Sequence, residues 1–376
     1  MDIPVFKLER YFARWEFSAP YLLCSSDVDG YRLDELLALA DDEGRELWQN
    51  LSLGYTESAG HPLLRREIAQ IYKGVDPAEV LTFAGGEEAI FVLMNTLLRA
   101  GDHAIVTWPS YQSLYTIAQT IGAEVTLLPL EQRANWELDI EKLRRALKPN
   151  TRLIVVNFPH NPTGALPDHE TFAAIVEVAK DADTYLFSDE AYRLLEYDPA
   201  DILPSAVECY AKGIALGIMS KSFALAGLRI GWLASHDADF LRRAASFKDF
   251  VTICNSAPSE ILALIALRAK EAVLARNRGI IARNLVQLDR FFAKWSDVFE
   301  WIRPQAGSIA FPRLHTGLPV EQFASELVER EGVLLLPGTV YDYPGDHFRI
   351  GFGRKNMPEA LARLEQFTRE RLRGRV

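Results

Sequence analysis

Across residues 55–241 the sequence alternates short apolar runs with longer amphipathic stretches, and that rhythm limits the available folds more than any other property of the chain. The runs occupy residues 103–108, 124–130, 153–158, 184–188, 214–219 and 231–234, and helical spacing recurs at 87–99, 111–121, 140–147 and 169–179. Strands that are apolar on both faces and separated by helices predict an α/β fold. The expected architecture is a large domain with a mainly parallel sheet covered by helices on both faces, and ligands gathered at the carboxyl ends of the strands. After residue 241 the pattern changes. Helices over 259–275 and 277–295 precede a shorter α/β section, with strands at 308–314, 333–336 and 347–352 and helices at 320–330 and 358–372. A chain of 376 residues exceeds what one core serves, about 250–300 residues. The expected division is a large domain over 46–285, a smaller α/β domain over 286–376, and an amino-terminal segment, 1–45, packed with the small domain.

Bulk properties exclude several partners. A formal charge of −10 and a pI near 5.3 argue against a phosphate-backbone binder but allow a local basic pocket for one small anion. No nucleic-acid partner is expected. Cys24, Cys209 and Cys254 lie far apart with no CxxC pair. That excludes a disulfide framework or zinc knuckle, predicts no metal, and fits small core residues in a reducing compartment. Residues 1–10 mix Asp2, Lys7, Glu9 and Arg10 with apolar residues, unlike a secretory signal. No apolar run reaches the roughly 18 residues of a membrane span, so a cytoplasmic protein away from membranes is expected.

The run 214–219 delivers Lys221 between Ser220 and Ser222, with Arg229 following across small residues. A lysine at the end of a buried strand feels desolvation, which disfavours the ammonium and yields a nucleophilic amine. The two hydroxyls and the planar guanidinium fork suit a phosphate. On this segment alone, a solvated lysine beside a structural arginine remains the alternative.

Three further segments bear on that choice. Gly85 and Gly86 follow the apolar segment 80–83 and open a helix at Glu87, so backbone amides can face an anion, although a plain strand-to-helix turn reads the same way. Residues 158–164, FPHNPTG, form a rigid turn that fixes the Asn161 amide at a strand end, or serve only as a turn. In Ser188-Asp189-Glu190-Ala191-Tyr192, Asp189 ends a buried strand. It needs a cationic or hydrogen-bonding partner there, unless it merely caps a short helix.

Together the strings SKSFALAGLRIG (220–231), NPTG (161–164), DEAY (189–192) and the Gly85 loop resemble the fold type I pyridoxal phosphate enzymes, and within them the class I/II aminotransferases. The likeness spans residues 55–349. It implies Lys221 as the lysine that bonds the cofactor aldehyde and moves the proton, and Asp189 as partner of the ring nitrogen. Tyr192 and Asn161 become donors to the phenolic oxygen, and Gly85, Gly86, Glu87, Ser220 and Arg229 the phosphate site. Tyr111, in Pro-Ser-Tyr, is similar to the aromatic residue stacked on the ring. Tyr55 resembles the tyrosine that reaches the phosphate of a neighbouring subunit's cofactor, which implies a homodimer with shared sites. Arg349, in His-Phe-Arg-Ile-Gly-Phe, is similar to the arginine that clamps the substrate α-carboxylate; a surface strand arginine is its plain reading.

Two departures matter. Ile218 stands where many members carry a hydroxyl for the phosphate, a loss of about 0.5–1.5 kcal/mol. Where many relatives have a glycine-rich substrate loop, this chain has Cys24-Ser25-Ser26-Asp27-Val28-Asp29-Gly30. Ser25, Ser26 and Asp27 are candidates to face substrate, with Asp27 suited to a basic amino acid, or are solvated loop residues. Residues 8–27, with Glu9-Arg10-Tyr11-Phe12, are also similar to arginine-processing relatives that hydroxylate or cyclise.

The implied activity moves an amino group between an L-amino acid and a 2-oxo acid. The competing readings are a lyase, decarboxylase or arginine oxidase or cyclase using the same cofactor, and a cofactor-sensing regulator. A regulator would carry a DNA-binding segment, and residues 1–54 show no basic helix-turn-helix pattern.

Overall fold

A computed structural model describes residues 2–372; Met1 and the last four residues of the expected small domain lie outside them. Seven strands form the main sheet: β1 (Val80–Phe83), β2 (His103–Trp108), β3 (Glu124–Pro129), β4 (Thr151–Asn157), β5 (Tyr185–Asp189), β6 (Gly213–Ile218) and β7 (Gly231–Ser235). Their order is β1-β7-β6-β5-β4-β2-β3. β7 runs antiparallel to both neighbours and every other pairing is parallel, so the expected mainly parallel sheet is present.

Alternation along each strand divides the core between two faces. Leu153, Val155, Phe187, Leu216 and Phe83 join helices Gly86–Leu97, Ser113–Ile121 and Ala238–Lys248 on one face. Ile154, Val156 and Leu186 pack on the other with helix His169–Asp181. Neither face is left to water, which is why these strands read as nearly unbroken apolar runs.

The carboxyl-terminal section departs from the expected elements in explicable ways. The strand expected at 308–314 is divided into β9 (Ile309–Ala310) and β10 (Arg313–Leu314), after β8 (Phe299–Glu300). Pro312 between them has no N–H for a ladder. At 333–336 the regular strand is β11 (Leu336–Pro337), with Val333 forming an isolated bridge to Tyr21, and β12 (Phe348–Gly351) pairs with both β11 and β9. The two helices expected over 259–295 break at Ala269 into Ala257–Arg268 and a 25-residue helix, Lys270–Lys294. No glycine or proline marks that break.

The amino-terminal segment is shared between cores. Leu23 and Val28 join the cluster around Phe299, Phe323 and Phe348, but Leu8 and Cys24 pack with Ile105 and Ile154, and Leu36 and Ala40 with Val80 and Ile261. Helix Lys7–Trp15 carries no start signal, since Phe6 occupies its N-cap and offers no side-chain bond. Cys24 is buried, and Cys209 and Cys254 are half-buried. Among the described residues no helix is long and apolar enough to cross a membrane.

Gly217 in β6 lies opposite Trp232 in β7. A Cβ there would stand 2.2 Å from the indole ring, which is held by Nε1–H donating to Tyr72 Oη at 2.9 Å. Gly217→Ala is expected to destabilise the fold by about 1–3 kcal/mol through overpacking, read by urea unfolding. A variant as stable as the parent would show that this strand pair can shift.

Candidate active site

Parallel register aligns the strand ends that build the site. Asn157 at the end of β4 sits beside Asp189 at the end of β5, and Asp189 beside Leu216 near the end of β6. Lys221 follows β6 on the same edge. These residues line a cleft of about 320 Å³, which is bordered by helix Lys7–Trp15 and by the loop carrying Ser25, Ser26 and Asp27.

The Lys221 Nζ donates to Ser26 Oγ at 2.7 Å. Burial pushes the Lys221 amine down to about 8; Arg349 and Arg229 act in the same direction, while Asp27 and Asp189 oppose it. Asp189 is buried, and desolvation raises its carboxyl to about 7 against the bond that its Oδ1 accepts from Ala191 N–H at 3.1 Å. The site therefore holds an amine and an acid whose charged forms are both disfavoured by their surroundings.

A second group of side chains forms one network. Arg349, 2% exposed, donates through Nε to Cys24 O at 3.1 Å and through Nη1 to Tyr341 Oη at 2.6 Å and Asn161 Oδ1 at 3.3 Å. Tyr341 Oη–H also donates to Asn161 Oδ1, at 3.1 Å. With its oxygen taken by two donors, Asn161 keeps Nδ2–H free in the cleft. Tyr192, 2% exposed, also lines the cleft, beside Ser26, and its buried hydroxyl completes no hydrogen bond. Asn157 fixes the turn from behind: its Oδ1 accepts from Asn161 N–H, and its Nδ2 donates to Asp189 O, both at 2.8 Å.

The opposite wall is shaped for an anion. Gly85 takes φ 94° and N-caps helix Gly86–Leu97 without a side chain, so the first helical amides lack intrahelical acceptors. A Cβ on Gly85 would stand 2.5 Å from Arg229 Nη2, and one on Gly231 would stand 2.8 Å from Gly85 C. Glycine at both positions lets the loop, β7 and Arg229 approach one another. Ser220 and Arg229 line the cleft here. Glu87 accepts from Ser113 Oγ–H, and burial raises its carboxyl. Half-buried Tyr111 borders the same space, its ring 5.3 Å from Phe6.

Some expected residues lie elsewhere. Ser222 turns its hydroxyl toward Arg193 O and Ala191 O and is not among the cleft residues, so it does not supply the second hydroxyl read from the sequence. Ile218 does line the cleft, with its Cγ2 2.8 Å from where a Gly86 Cβ would be. Tyr55 is 92% exposed and outside its own chain's cleft. Asp27 lines the cleft, but Arg354 Nη2 donates to both its oxygens, at 2.9 and 3.0 Å. Its loop lies against the end of β12, where a Cβ on Gly351 would stand 2.0 Å from Ser25 O and one on Gly353 2.4 Å from Asp27 O.

The sequence reading missed Asn157, Tyr341 and Glu16, and it noted Glu9 and Phe12 only within the likeness of residues 8–27, without placing them in the cleft. Asn157 was signalled by a polar residue closing an apolar run; Tyr341, in an irregular segment, had no signal.

Asp189 carries a sign that can be tested. Its folded value of about 7 lies above the unfolded value of about 3.9, so between the two the folded state holds a proton the unfolded chain has released, and stability falls as pH rises. Asp189→Asn removes that cost. The ligand-free variant is expected to exceed the parent by about 1–3 kcal/mol at pH 8, with the gap narrowing toward pH 5 in urea unfolding. A variant less stable than the parent at pH 8 would contradict this.

The family model "Aminotransferase class I and II" matches residues 21–364. Capreomycidine synthase of Streptomyces vinaceus is 29% identical over 377 aligned positions, covering 99% of this chain and 96% of its own. An aspartate aminotransferase of Pyrococcus horikoshii is 28% identical, covering 83% of this chain and 82% of its own. The crystal structure of a PLP-dependent aminotransferase from Streptococcus suis superposes with a TM-score of 0.92 at 33% identity, covering 98% of each chain. With a family match over most of its length and a solved relative of the same fold, this chain belongs to the class I and II aminotransferases, a family of pyridoxal phosphate-dependent enzymes.

Proposed function

We propose that the chain transfers an amino group between an L-amino acid and a 2-oxo acid, with pyridoxal 5′-phosphate held in the cleft. The observation that carries this reading is the pairing of a desolvated Lys221 with a buried Asp189 at neighbouring strand ends, facing two donors, Tyr192 Oη and Asn161 Nδ2, that have no protein partner.

The residues present fit the coenzyme. Lys221 is the amine to bond its aldehyde. A cationic ring nitrogen opposite Asp189 would restore the carboxylate that burial disfavours. Tyr192 and Asn161 would satisfy a phenolic oxygen, and an anion would use the Gly85–Gly86–Glu87 amides with Ser220 and Arg229. Tyr111 would stack on the ring. Tyr55, exposed on its own chain, would reach the phosphate across a homodimer interface. Three free cysteines fit the reducing cytoplasm as the compartment.

When bound, the coenzyme supplies an electron sink for the bond broken at the substrate Cα. Asp189 holds the proton on the ring nitrogen. Arg349 takes the α-carboxylate on its planar fork, with Tyr341 and Cys24 O keeping the guanidinium in place, and so selects which Cα bond is oriented for cleavage. Lys221 Nζ, an amine at mildly alkaline pH, removes the Cα proton as general base. Leu8 and Phe12 cover the cleft and keep water from the reacting atoms.

A panel of L-amino acids assayed one at a time against pyruvate and 2-oxoglutarate tests the reading, with 2-oxo acid release expected from at least one donor. Lys221→Ala is expected to release none, and Arg349→Ala to lower kcat/KM by about 10²-fold or more through loss of charge-assisted bonds. Full turnover in either variant would refute these roles. Products of elimination, decarboxylation or cyclisation in place of a 2-oxo acid would assign a different reaction to the same site, a result the likeness to capreomycidine synthase makes worth seeking.

A further inference from the structure

Helix Lys7–Trp15 and its C-cap residue bring Glu9, Phe12 and Glu16 to the cleft. Their spacing places them on one face. Neither Glu9 nor Glu16 makes a side-chain hydrogen bond or ion pair within the described residues. The placement of Glu16 is costly in itself, because a helix carboxyl end favours a cation over an anion. Burial raises its carboxyl, and Glu9 and Asp27 push in the same direction, against Arg354 and Lys221. Asp27, the acid singled out from the sequence, is already matched by Arg354. The unmatched negative charge on this wall therefore belongs to Glu9 and Glu16.

The buried end of the same cleft has the opposite sign. The Arg349 guanidinium lies 5.8 Å from the Phe12 ring, and its Nη2 has no partner among the described residues. Phe12 sits about one helical turn from each glutamate, on the order of 5 Å along the axis. An amino acid with its α-carboxylate on Arg349 would thus run its side chain past Phe12 toward two unpaired carboxylates.

We propose that Glu9 and Glu16 bind the side chain of the amino donor and make the cleft selective for amino acids ending in a guanidinium or ammonium group. This rests on the aminotransferase reading for the placement of the α-carboxylate. The apolar face of Phe12 covers the methylenes, and the carboxylate pair accepts the cationic tip, with a guanidinium fork the better geometric match. An unmatched acidic wall also disfavours donors with acidic side chains.

L-Arginine and L-citrulline share length and shape and differ in charge. Titrating the coenzyme-loaded enzyme with each, and following coenzyme absorbance, gives their apparent dissociation constants. Arginine is expected to bind at least about tenfold more tightly, as for a charge-assisted contact. Glu9→Gln and Glu16→Gln should each reduce the ratio several-fold, and the double variant should bring it close to one. Retained coenzyme absorbance reports that the variants are folded. Equal affinities in the parent, a ratio that survives the double variant, or no response to either ligand would overturn the proposal. A preserved arginine preference without 2-oxo acid release would defeat transamination alone and leave the side-chain assignment standing.

Discussion

The site depends on the desolvation of one amine. Lys221 stands at the carboxyl edge of a sheet whose two faces are buried, so the cost of its ammonium is set by the packing that makes the fold stable. The same burial acts on Asp189 in the opposite sense, raising an acid while it lowers a base. A lysine near 8 and an aspartate near 7 are poised to exchange charge with a ligand that carries an aldehyde and a basic ring nitrogen. Without that ligand both groups strain the folded state, a common trade between stability and function.

Geometry reaches the site from segments far apart in the chain. Strand register sets Asn157 beside Asp189, and Asn157 in turn holds the Asn161 turn. Arg349 arrives from β12, fastened to that turn through Tyr341. The 25–29 loop can lie across β12 only because Gly351 and Gly353 lack side chains. The small carboxyl-terminal strands thus meet the 25–29 loop through backbone contacts, and the amino-terminal helix is tied to them by Tyr11 Oη–H donating to Leu335 O, so the two ends of the cleft acquire opposite charge.

Much of this was legible in the sequence because it was local. The strands from 103 to 234 were found within a few residues, since burial on both faces leaves an unbroken apolar signature. Lys221, Asp189, Asn161, Gly85 and Arg349 fell in short strings whose chemistry could be read without the fold. The failures came where meaning depended on tertiary context. The side chain of Ser222 is two residues from Ser220 and turns away; Asp27 is acidic but already paired; Ala269 breaks a helix without a breaker. Glu9 stood in the sequence only as part of a likeness and Glu16 drew no attention, and their convergence on the cleft without an ion pair is what gives them weight.

The most direct test of the central claim is the pH dependence of covalent coenzyme attachment. Coenzyme-free protein would be incubated with pyridoxal 5′-phosphate across pH 6–10, reduced with borohydride, digested and mapped by mass spectrometry. The account predicts a single pyridoxyl-labelled peptide, containing Lys221, with labelling that rises through about pH 8. Labelling on another lysine, or a midpoint near the ordinary lysine value of about 10.4, would contradict it.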